Sequence, residues 1–350
     1  MKTTNDPDDI RPPFFVGVDL GGTSIKCGVV DDTGRPLLKK AVDVDTEAAK
    51  GVDVSLHNMA EGARRAVEQS GLQWSAIAAV GLGSPGTMDI PAGMLLDPVN
   101  LRGPGWQDCP IRDRLAALVG KPVAFQNDAN AAAYGEYWAG VGKSARAAGR
   151  PAHSMVLFTL GTGIGCGIII GDSIVEGRHS HGAECGHMVI HMKVEGGPEP
   201  RVCGCGRHGC LEAYASATAL IKRAQEGLDA GVPTKLRELW DCTECGDRAA
   251  LIDNLGKSGD AFCRQLMRET AYFLAVGTTC LMHTIDPDLV VFGGGMSKSG
   301  PEFLQWIRDD IHRLAFPAPA QKTEVGYAEL GSDAGYIGAA GCARLQWTRR

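Results

Sequence analysis

The stretch FFVGVDLGGTSIK, residues 14–26, decides the reading of the fold. Its apolar run from Phe14 to Asp19 predicts a strand, Leu20-Gly21-Gly22 a turn, and Ile25 to Val30 a second strand. A further run after the Asp-Thr-Gly turn at Asp32 to Gly34 completes an antiparallel meander. Asp19 stands at a strand end, where a carboxylate is suited to hold a hydrated magnesium ion through water. Gly21 and Gly22 let backbone N–H groups approach phosphate oxygens, Thr23 adds a hydroxyl donor, and Lys26 follows as a cation. An ordinary Gly-Gly hairpin with a polar cap reads the same residues equally well.

Working outward, Asp53 to Gln69 has helical spacing, with Leu56, Met59, Ala63, Ala66 and Val67 on one side. Ile77 to Leu82 reads as a strand, followed by a helix near Ile111 to Leu118, a strand at Pro122 to Phe125 and a helix from Ala129 to Trp138. The pattern then restarts. Met155 to Leu160 and Gly167 to Ile170 flank a second glycine turn, Gly161-Thr162-Gly163, suited to the same phosphate-holding work. Two such turns, each between strands at the start of a lobe, favour a phosphate clamp. Helices follow, the longest over Asp260 to Thr284. A strand from Leu289 to Phe292 then ends in Gly293-Gly294-Gly295, and an Ala/Gly-rich helix over Gly335 to Leu345 is suited to packing tightly on other backbone. Gly142 to His153 reads as a polar loop, with the main hinge between Tyr134 and His153. No G-x-x-x-x-G-K-[ST] occurs, and the glycine turns lead into strands rather than helices, so neither a P-loop nor a dinucleotide fingerprint applies.

The chain has 350 residues, 44% hydrophobic and 22% charged, the balance of a soluble globular protein. At about 150 residues per domain it has room for two. A net charge of −6 with no basic cluster argues against a nucleic-acid surface. No apolar run approaches the roughly 18–20 residues of a membrane span, and the acidic, proline-rich opening is unlike a signal peptide, so the expectation is a cytoplasmic protein with no membrane partner. In a reducing compartment the scattered Cys27, Cys109, Cys166, Cys263, Cys280 and Cys342 are expected to be buried free thiols.

Two segments carry chemistry of their own. Asn127-Asp128 stands where a short strand meets a helix, and Asp128 is either a proton acceptor for a reacting hydroxyl or a helix cap. His187 with Cys203, Cys205 and Cys210 supplies one imidazole and three thiolates, enough for a closed tetrahedral zinc site. His208 competes with His187 as the fourth ligand. Cys242 and Cys245 form a separate pair with no assigned role.

Taken together, the chain resembles the ROK family of sugar kinases, named for repressors, open reading frames and kinases. The resemblance rests on DLGGTSIK (19–26), GLGSPG (81–86), NDANAAAYGE (127–136), LGTGIGCG (160–167), GAECGH (182–187), CGCGRHGCLE (203–212), VVFGGG (290–295) and AGYIGAAGCA (334–343). It implies an α/β protein with the two-lobed, actin-like ATPase (ribonuclease H-like) fold and a zinc-binding loop. The expected division is a tail at 1–13, an N-terminal lobe of 14–135 plus 334–350, and a C-terminal lobe of 136–333 carrying the zinc motif.

The resemblance implies ATP-dependent phosphorylation of a hexose 6-hydroxyl, with glucose first and N-acetylmannosamine, N-acetylglucosamine, fructose or allose as alternatives. Asp128 would be the general base. Asn100, Asn127, Asp128 itself, Glu184, His187 and Glu212 would contact the sugar, and Gly293–Gly295 would form the adenosine-binding turn. Implied cofactors are ATP with Mg2+, and structural Zn2+ on His187, Cys203, Cys205 and Cys210; the implied assembly is a homodimer or homotetramer. A sugar-sensing regulator is the remaining class, although Asp19 comes too early to follow a DNA-binding domain. The sequence departs from the family pattern by extra residues at Asn100–Trp106, two histidines in Arg178–His181, and an apparent insertion at Cys242–Gly246.

Overall fold

The computed structural model describes residues 10–98 and 100–349. Most of the expected tail lies outside them. At its described end Arg11 is held in place: its N–H donates to Asp31 Oδ2 at 3.3 Å and its carbonyl accepts from the Asp32 N–H at 3.0 Å.

The first elements are β1 (Phe14–Leu20), β2 (Ser24–Val30), β3 (Val42–Asp45), α1 (Val52–Gln69), β4 (Ile77–Ser84), β5 (Thr87–Asp89) and β6 (Met94–Asp97). They continue with α2 (Ile111–Val119), β7 (Val123–Asn127), α3 (Asp128–Trp138) and α4 (Val141–Ala147). The sheet order is β3-β2-β1-β4-β7, with β1, β2 and β3 antiparallel as the glycine turn predicts and β1, β4 and β7 parallel. Parallel strands put their carboxyl ends on one edge, so Asp19, Ser84 and Asn127 end up along that edge. Leu56, Met59, Ala63, Ala66 and Val67 of α1 are all buried, forming the apolar face read from the spacing.

The second half comprises β8 (Ser154–Leu160), β9 (Ile164–Ile170), β10 (Ser173–Ile174), α5 (Glu212–Ala215), α6 (Ala217–Asp229), α7 (Leu236–Trp240), α8 (Arg248–Lys257) and α9 (Ala261–Ile285). After these come β11 (Leu289–Gly293), α10 (Pro301–Leu314), α11 (Pro317–Lys322), β12 (Glu324–Tyr327) and α12 (Ala334–Thr348). Here the sheet order is β10-β9-β8-β11-β12, with β8, β11 and β12 parallel and β9 and β10 antiparallel, a repeat of the first plan. No helix among the described residues is long and apolar enough to cross a membrane.

The chain divides into two compact units. One takes the described residues to Ala152, Gly167–Ala183 and those from Glu329; the other takes His153–Cys166 and Glu184–Ala328. In the first, α12 lies directly on the backbone of β1 and β4. A Cβ on Gly17 would fall 1.7 Å from the Tyr336 carbonyl oxygen, and one on Gly81 would fall 1.7 Å from that of Ala339. Only glycine permits that approach, and the Ala/Gly-rich α12 supplies the matching small surface.

Two readings need correction. The segment expected to be a loop from Gly142 begins within a helix, α4, because Val141, Gly142 and Ala145 are buried and Arg146 folds back onto the preceding turn. The Arg146 guanidinium donates to the Tyr137 carbonyl at 2.7 Å and stands 4.7 Å over the Tyr137 ring. Cys280 is exposed, unlike the other five scattered thiols, because it points off the buried face of α9.

Candidate active site

In the first unit, the glycine turn is fixed from outside. Gly21 N–H donates to the Ser24 carbonyl at 2.9 Å, while Thr46 donates from its hydroxyl to the Gly21 carbonyl at 2.7 Å and from its N–H to the Thr23 carbonyl at 2.9 Å. Thr46 is fully buried, and no sequence motif marks it. Asn100 joins this turn through its backbone, since a Cβ on Gly22 would stand 3.0 Å from the Asn100 carbonyl oxygen. Of the residues that follow Asn100, Arg102 to Gly105 are exposed, while Leu101 and Trp106 on either side are buried. Trp106 is 2% exposed and its Nε1 donates to the Ala48 carbonyl at 3.0 Å. Lys26 turns to the start of α12, donating to the Ser332 carbonyl at 2.9 Å and pairing with Asp333 at 3.4 Å.

Asp19 lies opposite Gly83 in the β1–β4 ladder, and Asn127 lies opposite Ser84 in the β4–β7 ladder. Two strand spacings, roughly 10 Å, therefore separate the two backbones along the carboxyl edge. Burial pushes the Asp19 carboxyl up to about 6, the charge of Asp128 pushes the same way, and Lys26 offsets part of the rise. Gly335 packs against this carboxylate, since a Cβ there would stand 2.2 Å from Asp19 Oδ2 and force the side chain to move.

The cap of the helix that begins at Asp128 is supplied by its neighbour. Asn127 is the N-cap of α3, its Oδ1 accepting from Ala129 N at 3.0 Å and from Asn130 N at 3.1 Å. Asp128 is the first helical residue, half-buried, and also accepts the Ala129 N–H at 2.8 Å. With the cap filled, its carboxylate is not required for that purpose. Negative charge in a first helical turn is electrostatically favoured. Asn127 Oδ1 is committed, which leaves its Nδ2 as the group to offer a ligand.

In the second unit, the turn Gly161–Gly163 is closed by Gly161 N–H donating to the Gly163 carbonyl at 3.0 Å. Gly294 (φ 83°) packs against the end of β8, where a Cβ would stand 2.4 Å from the Leu160 carbonyl oxygen. The Gly293–Gly295 segment and the second glycine turn are thus brought together, and Gly294 is the position that requires glycine. Glu212 joins them, its Oε2 accepting from Ile164 N at 2.9 Å.

His187, Cys203, Cys205 and Cys210 converge so that one ligand atom from each lies within 4.8 Å of the others. Tetrahedral zinc with bonds of about 2.3 Å to sulfur places ligand atoms about 3.8 Å apart. The Cys205–Cys210 sulfurs are 3.9 Å apart and Cys203 Sγ lies 3.6 Å from His187 Nδ1, so the donor set fits that ion. Backbone bridges hold the ligands in place: Val189 pairs with Cys210, and Val202 with His208. His208 turns its Nδ1 to the Pro200 carbonyl at 3.3 Å and stays out of the cluster, leaving His187 as its fourth member. Glu184 is exposed, and its carbonyl accepts the His187 N–H at 3.0 Å. Cys242 and Cys245 are exposed, and no third ligand joins them among the described residues.

The ROK family profile matches residues 15–345. A glucokinase of Thermotoga maritima is 34% identical over 93% of this chain and 96% of its own. One of Streptomyces coelicolor is 35% identical over 94% and 97%. Among solved structures, a ROK hexokinase from Thermus thermophilus has 32% identity and a TM-score of 0.75, covering 96% of this chain and 100% of its own. A ROK family glucokinase from Streptomyces griseus, solved with glucose and AMPPNP, has 33% identity and a TM-score of 0.74, over 95% and 99%.

Proposed function

The chain belongs to the ROK family, and from that premise we propose that it is an ATP-dependent sugar kinase that phosphorylates the 6-hydroxyl of glucose. The observation that carries the reading is the Asn127–Asp128 corner. Asn127 fills the helix cap, which leaves the adjoining carboxylate at the carboxyl edge of a parallel sheet, where ligands of α/β proteins collect. Relatives 33–35% identical that are named glucokinase, and the complex of one relative with glucose and AMPPNP, support glucose and ATP as substrates.

In this reading Asp128 accepts the proton of the 6-hydroxyl as its oxygen attacks the γ-phosphorus of ATP, and ADP departs with the cleaved oxygen. Asn100, the Nδ2 of Asn127, Glu184, His187 and Glu212 orient the sugar hydroxyls. The amides of Gly21–Thr23 and Gly161–Gly163 face the phosphates, and Gly293–Gly295 takes the adenosine. Lys26 acts at one remove, by tying the first glycine turn's strand to the start of α12. Asp19 is the group that would hold hydrated magnesium, which supplies charge neutralisation on the transferring phosphoryl group.

Zinc would be held by His187, Cys203, Cys205 and Cys210, with no open position for water, and would tie the Glu184–His187 segment to the Glu212 segment. A thiolate at Cys203 has no proton to give. The contact at 3.3 Å in which that thiol donates to Glu212 Oε1 would then be replaced, leaving this oxygen to accept from a sugar hydroxyl.

None of the twelve cysteines is joined in a disulfide, which supports placing the enzyme in the reducing cytoplasm. A homodimer or homotetramer is the assembly we propose. The test is ADP release with ATP, magnesium and a panel of hexoses and N-acetylhexosamines. Turnover with glucose at millimolar concentration or below is expected; preference for an N-acetylhexosamine would move the specificity, and silence across the panel from folded, zinc-loaded protein would overturn the reading.

A further inference from the structure

Behind the Asn127–Asp128 corner lies a carboxylate that no motif singles out. Glu176, just past β10, accepts from Nε2 of Gln126 at 2.7 Å. Gln126 is 2% exposed, and the other end of its amide is engaged twice: Oε1 accepts the Asn127 N–H at 2.8 Å and Nδ2 of Asn130 at 3.3 Å. A side-chain amide can turn over, exchanging its donor and acceptor ends. Glu176 prevents this. An ionised carboxylate only accepts, so Nε2 must face it, and Oε1 must then face the two donors from Asn127 and Asn130. Turned over, the buried amide would set its NH2 against those donors and leave the carboxylate facing an acceptor.

Glu176 is itself fixed through its main chain. Its N–H donates to the Ile174 carbonyl at 3.0 Å, and its carbonyl accepts from Gly182 at 2.7 Å. The chain of constraint runs from a held carboxylate, through one amide orientation, to the main chain of the residue before Asp128.

We infer that Glu176 is a positioning residue for Asp128, acting by fixing the amide orientation of Gln126. The inference rests on the base role given to Asp128 above. It predicts a reciprocal rescue that a general packing role would not produce. Glu176→Lys puts a donor where an acceptor stood and favours the turned-over amide. Gln126→Glu sets two carboxylates face to face. Combined, the introduced carboxylate accepts from the introduced ammonium, from Asn127 N–H and from Asn130 Nδ2, which restores the pattern with the roles exchanged.

The experiment compares parent, both single variants and the double variant by steady-state kinetics, thermal melting and amide hydrogen exchange over residues 125–130. Each single variant is expected to lose about tenfold or more in kcat, since small displacements of a catalytic group are costly, with the KM for ATP within about threefold of the parent. Exchange protection at Asn127 should fall in the singles, and the double variant should regain protection and most of the lost kcat. Singles that turn over like the parent would overturn the inference. So would a double variant that does not fold, or one that melts like the parent yet stays as slow as the singles. A parent that phosphorylates no sugar would instead strike the proposed function, and exchange protection would still decide whether Glu176 orders the corner.

Discussion

The carboxylate of Glu212 accepts the backbone N–H of Ile164 at 2.9 Å, joining the second glycine turn to a residue two positions beyond Cys210, the last cysteine of the His187–Cys203–Cys205–Cys210 cluster. The segment proposed to read the sugar and the turn proposed to read the phosphates thus share one side chain. Their geometries are coupled before any ligand arrives.

Glu212→Gln keeps the size of the side chain but removes its charge. Charge-assisted hydrogen bonds contribute about 1.5–3 kcal/mol, so the KM for glucose should rise on the order of tenfold or more. The KM for ATP should move as well, because Ile164 follows the Gly161–Gly163 turn directly. Kinetics with both substrates check this, and an unchanged KM for glucose would remove Glu212 from the sugar site.

Removing a zinc ligand should act on folding and sugar binding together. Metal analysis of the parent should find one zinc per chain. Cys205→Ser should lose it, lower the melting temperature and weaken glucose binding in the folded fraction, because the proposed metal would link the Glu184–His187 segment to Glu212. Zinc-free protein with unchanged kinetics would contradict the role.

Asp19 predicts an opposition between stability and activity. Its carboxyl is raised from 3.8 to about 6, so its stabilising contribution is complete below pH 3.8 and is lost as pH rises through 6. At neutral pH the buried charge costs up to about 3 kcal/mol in the absence of magnesium and nucleotide. Asp19→Asn should therefore melt higher than the parent at pH 7 and similarly at pH 4, while losing activity. Melting curves at both pH values decide it, and a variant less stable at pH 7 would contradict the burial argument.

Gly81→Ala tests the seat of α12. The added methyl would stand 1.7 Å from the Ala339 carbonyl oxygen, on backbone that cannot rotate away. Overpacking of this kind costs about 1–3 kcal/mol or more, so a clear drop in chemical-denaturation midpoint is expected. An unchanged midpoint would mean that the helix is not held as close as the structure places it.

What the sequence made legible was local. The β1–β2 turn, the apolar face of α1 and the small-residue surface of α12 all follow from spacing within one segment. The zinc ligand set was legible for the same reason, since three cysteines fall within eight residues. Between His187 and His208 the residues alone do not choose; the family resemblance points to His187, and in the structure the His208 imidazole faces the Pro200 carbonyl instead. Base and cap were not separable at Asp128 from the local residues, since Asn and Asp are both good caps; the resemblance points to a base, and the structure gives the capping to Asn127. Long-range ties left no trace. Thr46 holds a turn 25 residues earlier, Glu176 orients an amide 50 residues away, and Lys26 reaches Asp333 at the opposite end of the chain. Helix α4 was missed because Gly142 and its basic neighbours read as loop, whereas burial of Val141 and Ala145 outweighs that propensity.

The most direct test of the account is Asp128→Asn, measured for glucose 6-phosphate formation with ATP and magnesium alongside glucose binding at equilibrium. Removing a general base costs about a hundredfold or more in rate, whereas most of the proposed sugar contacts lie on other residues. That loss in kcat is expected with glucose affinity within about threefold of the parent, consistent with a base that acts only as the proton moves. A variant that retains full turnover, or one that loses glucose binding along with its rate, would contradict it.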